Sequence, residues 1–311
     1  MTHQTLLSVK SLSRHYRSQI AVNDLSFTIN KGEVLGFLGP NGAGKSTTMK
    51  MLSGNLAPTY GEIIINGHDL LSDPEQAKQH IGYLAEQPPL YKELTVKEFL
   101  IFCANINNVE KAKVKLAVDS AIHRCGLSEV TQRLIANLSK GYQQRVGIAQ
   151  AIIHSPAVVI LDEPTSGLDP IQIREIRQLI RDIAREHSVI LSTHILPEVQ
   201  MLCDRVQIIN QGQLIFSDHI SALDEKMQSS CVLVSFLSPP DLSRLNNISA
   251  VSHAESIGNN QFRLHYAPDD DPLEEIVSQA VSNKWQLREL TPERHSLEDV
   301  FMKMIQDEQA N

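Results

Sequence analysis

The sequence predicts an α/β fold built on a parallel sheet, with an antiparallel β subdomain, a helical subdomain and a small α+β domain at the C-terminal end. Three observations carry this. Val34–Gly39 (VLGFLG), Ala157–Leu161 (AVVIL) and Ser188–Ser192 (SVILS) are short, nearly continuous apolar runs, the pattern of strands buried on both faces. Ile171, Ile173, Ile176, Leu179, Ile180 and Ile183 recur at helical spacing between the last two runs. Strands alternating with such helices indicate a parallel sheet.

The remaining elements follow in order. Leu6–Lys10, Leu25–Ile29 and Glu62–Asn66 read as antiparallel strands with turns between them. A helix is expected from about Lys45 to Leu52, and Thr95–Ile153 is mostly helical in pattern. Arg205–Asn210 and Gln213–Phe216 flank the turn Gln211–Gly212 and read as a hairpin. The composition shifts near Ser217–Ser230. Beyond it Val232–Phe236, Ala250–Ser256, Gln261–Tyr266 and Trp285–Leu290 read as strands, and Leu273–Val281 and Ser296–Ile305 as helices. The order β-(short α)-β-β-α-β suggests a ferredoxin-like unit. We therefore expect one domain over 1–222, its helical part at about 90–155, and a second over 229–311. Trp285 is expected in the core. Lys111, Lys113 and Lys115 are expected on a solvated helix face.

Bulk properties narrow the function classes. The 311 residues carry a net charge of −8, with 42% hydrophobic and 21% charged residues, as in an ordinary globular protein. The sequence pI of about 5.8 argues against nucleic acid as the main partner. Cys103, Cys125, Cys203 and Cys231 form no C-x-x-C pair and read as reduced core thiols of a cytosolic protein. Met1–Lys10 lacks the apolar core of a signal peptide, and no segment approaches the ~20 apolar residues that span a bilayer. Any membrane role must come through a partner.

Gly39–Ser46 reads GPNGAGKS, which fits G-x-x-x-x-G-K-[ST]. A triphosphate packs several negative charges into a small volume. Backbone N–H groups surround it only where the chain curls tightly, hence Gly39, Gly42 and Gly44, with Pro40, Asn41 and Ala43 between them. The loop opens onto a helix N-terminus, which adds its positive dipole end. Lys45 is placed to reach the β- and γ-phosphates, and the Ser46 hydroxyl, followed by Thr47, to ligate Mg²⁺. In AVVILDE, a buried strand ends on two acids at the edge where ligands bind in open α/β sheets. Asp162 would hold Mg²⁺, and Glu163 would polarise the attacking water.

Leu138–Val146 (LSKGYQQRV) makes the assignment specific. It resembles the signature motif of the ATP-binding cassette family, whose core usually reads LSGGQ and is followed closely by a Q-R pair, here Gln144–Arg145. Ser139 and Gly141 match; Lys140 and Tyr142 depart. Ser166–Asp169 (SGLD) resembles the loop that links the two active sites of the family's dimer, through Asp169. Ser192–His194 (STH) resembles the switch-histidine motif, with His194 sensing the γ-phosphate. Tyr16 matches the aromatic that stacks on adenine. The family's lid loop has glutamine shortly after a G-Y-L segment; here Gly82–Pro88 reads GYLAEQP, so that Glu86 takes its place and Gln87 is next. The resemblance covers about residues 5–220, and within the family it is nearest to ATP-binding subunits of bacterial gliding-motility and drug-export systems. Ser296–Met302 (SLEDVFM) resembles the ending of such subunits.

The resemblance implies an ATPase core of the P-loop type, with ATP and Mg²⁺ as cofactors. It implies a second copy of the chain closing over the ATP with Ser139 and Gly141, a separate membrane permease, and a place at the cytoplasmic face of the membrane. A ribosome- or DNA-directed member of the family usually has two cassettes or a long coiled coil, and this chain has one cassette and no heptad run. An ordinary P-loop kinase or GTPase leaves LSKGYQQRV, SGLD and STH unexplained, and no N-K-x-D guanine motif is present.

Overall fold

The computed structural model describes residues 4–17, 19–267 and 272–294. The chain divides into two compact units, Met1–Ile220 and Ser221–Asn311.

In the first unit the elements run β1 (Thr5–Tyr16), β2 (Gln19–Asn30), β3 (Val34–Leu38), α1 (Lys45–Leu52), β4 (Tyr60–Ile65), β5 (His68–Asp69), α2 (Pro74–Gln79) and β6 (Ile81–Leu84). Then come α3 (Val96–Ile106), α4 (Val114–Arg124), α5 (Lys140–Ile152), β7 (Val158–Asp162), α6 (Pro170–Ala184), β8 (Ser188–Thr193), α7 (Leu196–Leu202), β9 (Arg205–Asn210) and β10 (Gln213–His219). The second unit contains α8 (Ile220–Met227, from its second residue on), β11 (Gln228–Phe236), α9 (Leu242–Asn246), β12 (Val251–Gly258), β13 (Gln261–Tyr266), α10 (Leu273–Ser282) and β14 (Leu287–Arg294).

The central sheet has the order β10-β9-β3-β8-β7-β6, parallel from β9 to β6 and closed by the antiparallel β9–β10 hairpin. Every residue of β3, β7 and β8 is buried, which explains why their sequences run apolar without alternation. The register pairs Asp162 with Ser192 and Leu38 with Thr193. The C-terminal ends of three neighbouring strands therefore release the phosphate loop, the acid pair and the STH segment side by side. A second sheet, β2-β1-β4-β5, is antiparallel. Its inner face packs Leu7, Val9, Leu25, Phe27, Ile29 and Ile63 into one core with Leu35, Phe37, Ile160 and Ile190 of the central sheet. In α6 the apolar stripe narrows to four buried residues, Ile176, Leu179, Ile180 and Ile183, while Ile171 is 74% exposed.

The second unit has strand order β12-β13-β11-β14, all antiparallel, which is the ferredoxin-like order expected from β-α-β-β-α-β. Val232, Val234, Phe236, Phe262, Leu264, Ile276 and Trp285 form its core, with Trp285 edge-on to Phe236. Trp285 precedes the last strand instead of opening it, because the strand starts at Leu287. β1 and β2 run longer than their apolar cores, since a shared ladder from Thr5↔Asn30 to Tyr16↔Gln19 carries polar residues along. Lys111 and Lys113 are exposed in the turn before α4, and only Lys115 lies on the helix. The expected helix Ser296–Ile305, and with it SLEDVFM, falls outside the described residues.

Gly82 in β6 fixes how closely α5 approaches the sheet. A Cβ there would overlap the carbonyl oxygen of Ala151. Gly82→Ala must push β6 and α5 apart and should cost about 1–3 kcal/mol of stability, read as a lower midpoint in urea unfolding.

Candidate functional site

The phosphate loop is set by the turn before α1. Gly44 has φ 107°, and a Cβ there would stand 2.6 Å from the Ala21 carbonyl oxygen. Only glycine permits both. The loop is buttressed from the hairpin as well, because Gly212 N–H donates to the Ala43 carbonyl at 2.9 Å. Lys45 is the first residue of α1, and its side chain turns back into the curl. There Nζ donates to the carbonyls of Gly39 at 2.8 Å and Pro40 at 3.2 Å.

Around Lys45 the acid pair assembles. Lys45 Nζ lies 3.4 Å from Glu163 Oε1, and His194 Nδ1 lies 2.9 Å from Glu163 Oε2. Both Lys45 and Glu163 are buried, so the pair sits in low dielectric where each charge needs the other. Glu163 has φ 46°, a left-handed conformation uncommon for a non-glycine residue. Its N–H is held by Ser192, at 3.1 Å to the carbonyl oxygen and 3.2 Å to Oγ. That strained turn redirects the chain just past β7 and brings the Glu163 carboxylate to Lys45 and His194. Asp162 points to the other side. Its Oδ1 accepts from Ser192 Oγ and, at 3.2 Å, from Ser46 Oγ. Burial raises the Asp162 pKa above the usual carboxylate range; the hydrogen bonds from Ser192 and Ser46 oppose this, Glu86 adds to it and Lys45 opposes it. The same surroundings act on Tyr83, whose pKa is pushed up to about 12 by burial and by the carboxylates of Asp162 and Glu86.

Lys45, Ser46, Glu163 and His194 open onto one cleft of 710 Å³. Asn41, Gly42, Gly44 and Thr47 of the loop, with Tyr16, Glu86 and Ser166, also line it. Tyr16 is 43% exposed, with the Arg14 guanidinium 4.6 Å from its ring centre.

The structure gathers most of the expected residues here and leaves four elsewhere. Gln87 lines a different cleft, beside Lys78, Tyr83, Asn107 and His154. Ser139 and Gly141 border a 300 Å³ hollow with Arg145, Gln172 and Glu175. Ser139 caps α5 by accepting from Tyr142 N–H at 3.4 Å, and Asp169 caps α6 by accepting from the N–H groups of Ile171 and Gln172. Ser192, which joins Asp162 to the Glu163 backbone, is a functional residue that no motif role singles out. It stood within the STH triplet, and its signal was its register beside Asp162. Gln19, Ile20, Ala21 and Gln211 also line the cleft and carry no motif.

The family model for the ABC transporter matches residues 22–166. YhcH, an ABC transporter ATP-binding protein of Bacillus subtilis, is 34% identical over 306 residues, covering 97% of this chain and 96% of its own. The bacitracin transport ATP-binding protein BcrA of Bacillus licheniformis is 34% identical over 317 residues, with 97% of each chain covered. A solved ATP-binding subunit of an ABC transporter superposes with TM-score 0.65 at 33% identity, covering 71% of this chain and 93% of that one. The chain belongs to the family of ABC transporter ATP-binding proteins. It is an ATP-binding subunit of a transporter, with the ATPase fold of that family.

The raised pKa of Asp162 has a sign. Between the ordinary value of 3.8 and the higher folded value the native state holds the extra proton, so this group's contribution to stability falls as pH rises through that window. Above it the buried charge is a net cost in the nucleotide-free protein. Asp162→Asn should therefore raise the melting temperature of the ligand-free protein at pH 7, checked by thermal unfolding.

Proposed function

We propose that this protein hydrolyses ATP as the motor subunit of an export system, working as a homodimer on a separate membrane permease. The observation that carries the hydrolytic part is the buried carboxylate of Glu163, held at 3.4 Å from Lys45 and 2.9 Å from His194 beside the phosphate loop. A carboxylate in that position serves as general base for a water attacking the γ-phosphate. Lys45 and the N–H groups of the loop, from Gly39 to Thr47, bind the phosphates. His194 holds Glu163 and senses the γ-phosphate. Tyr16 offers its exposed ring to adenine.

Mg²⁺ suits the donors present. Ser46 Oγ and Asp162 Oδ1 are hard oxygens 3.2 Å apart, and a magnesium ion commonly takes one or two protein ligands plus phosphates and waters. Asp162 is buried with its pKa raised, so a cation beside it would offset the cost of its charge. When bound, the ion would supply positive charge that offsets the negative charge developing on the phosphates. Of the two lid-loop candidates, Glu86 is favoured for this site, since it opens on the nucleotide cleft and acts electrostatically on Asp162. Gln87, facing the neighbouring cleft, is assigned to the surface that meets the permease.

Ser139 and Gly141 lie away from the cleft of their own protomer, which supports their use by a second copy: the N-terminus of α5, capped by Ser139, would close over the ATP held by its twin. Asp169 would link the two sites from the start of α6. ATP then acts as glue, and loss of the γ-phosphate lets the dimer open. For the permease, Tyr91, Phe102 and Ile106 expose 52%, 38% and 59% of their surface on the segments that follow Gln87. Among the described residues no helix is long and apolar enough to cross a membrane, so the membrane-spanning part is assigned to the partner. We infer a peripheral place at the cytoplasmic face, reached through that partner. Export as the direction is inferred from the resemblance to drug-export subunits, with which the name of BcrA, a bacitracin transport protein, is compatible.

Two measurements test this. Glu163→Gln should keep ATP affinity and lose about 10²–10⁴-fold in kcat, and normal turnover would remove Glu163 from the role of base. Ser139→Ala should lower kcat and abolish the ATP-dependent dimer of Glu163→Gln in sedimentation. A strictly monomeric ATP-loaded protein would overturn the shared site.

A further inference from the structure

Glu198 is a buried charge that none of the steps above uses. It lies in the first turn of α7, four residues after His194, and is 0% exposed. Its two oxygens have separate partners. Thr193 Oγ1 donates to Oε2 at 2.9 Å, and Arg177 Nη2 donates to Oε1 at 3.1 Å. Thr193 Oγ1 in turn accepts from the N–H of Ile195 at 3.1 Å. One hydroxyl thus ties together the residues on either side of His194, and Glu198 fixes the direction in which that hydroxyl points.

Packing alone does not require such an arrangement. A buried ion pair is seldom better for stability than apolar side chains of similar volume. An acid in the first turn of a helix also favours the dipole, but an exposed one does so without the desolvation cost that Glu198 carries. What the pair supplies is orientation. Arg177 stands on α6, the helix that Asp169 caps, and one continuous set of contacts runs from α6 through Arg177, Glu198 and Thr193 to the turn bearing His194. His194 is itself 48% exposed and is held at its ring by Glu163. Its backbone is what the Thr193 hydroxyl constrains.

We propose that Glu198 is a positioning residue for ATP hydrolysis: with Arg177 it locks the Thr193 hydroxyl and thereby holds His194 against Glu163. The proposal rests on the roles assigned above to Glu163 and His194.

The test uses the full chain and steady-state hydrolysis of Mg-ATP. Thr193→Val keeps the volume and the Arg177–Glu198 pair but removes the hydroxyl; Thr193→Ser keeps the hydroxyl; Glu198→Gln removes the charge. Thr193→Val and Glu198→Gln should each lower kcat by about tenfold or more with KM for ATP within about twofold, and Thr193→Ser should retain most of the activity. In a His194→Ala background Thr193→Val should cause no further loss, because residues acting through one another are non-additive. Histidine-labelled NMR gives a readout without turnover: the His194 ring signal, assigned by its disappearance in His194→Ala, should move in Thr193→Val and stay in Thr193→Ser. A lower melting temperature with unchanged kcat and an unmoved His194 signal would reduce Glu198 to a structural role. A full additional loss of kcat on top of His194→Ala would overturn this inference alone. Normal kcat in His194→Ala itself would overturn the reading of the site, and this inference with it.

Discussion

The carboxylate of Glu163 is the constraint around which the first unit is arranged. It sits at the end of a wholly buried strand, between a lysine and a histidine, with its backbone turned to φ 46°. Each neighbour comes from a different strand end: Lys45 follows β3, Glu163 follows β7 and His194 follows β8. Such a site survives only if the three strands keep their register. A one-residue slip of β8 would reverse its side chains and take Ser192 away from Asp162. Burial on both faces makes that slip costly, so the apolar monotony of VLGFL, VVILD and SVILST serves the site as much as the core.

The antiparallel sheet and the closing hairpin appear peripheral in the chain order, yet they finish the phosphate loop. Ala21, near the start of β2, closes the space over Gly44, and Gly212 of the hairpin turn donates to Ala43. Gly212 also accepts from the N–H of Asn23, so β2 and the hairpin brace each other before they brace the loop. The loop's curvature is therefore not a local property of its glycines. Glycine makes the conformation accessible, and contacts from residues some 20 before and 170 after it select that conformation from the many a glycine-rich segment allows.

What was legible in the sequence follows the same division. Motifs that encode a local chain path were readable: GPNGAGKS as a curl before a helix, AVVIL as a buried strand, and Gln211–Gly212 as a hairpin turn all coincide with observed elements to within a residue or two. The ferredoxin-like order could be read because strand and helix periodicities differ, so that β11 to β14 separate from α10 without reference to their partners. Residues whose importance is pairwise were not readable. Ser192 matters because β7 and β8 align it with Asp162, and Glu198 because Thr193 and Arg177 converge on it; neither residue type nor spacing announces this. Gln87 shows the converse. Adjacent to Glu86 in sequence, it opens on another cleft, because the chain bends at these two residues just past β6.

Glu86 brings the electrostatics of the cleft together. Beside Asp162 and Glu163 it makes a third carboxylate near a site meant for a polyanion, and its charge already raises the pKa of Asp162. A neutral side chain there would leave two acids against Lys45. With three, the unfavourable charge rises, and a divalent cation is needed more strongly to bring triphosphate into the cleft. Carboxylate oxygens are also harder and more anionic donors than an amide oxygen, so a glutamate here would repel phosphate and favour the ion proposed to accompany it. The consequence is a coupling: nucleotide and cation should enter together far more than either enters alone. Glu86→Gln should accordingly strengthen the binding of metal-free ATP and weaken the dependence of affinity on Mg²⁺, which calorimetry with and without chelator measures directly. Equal Mg²⁺ dependence in both proteins would place the Glu86 charge outside the reach of the phosphates.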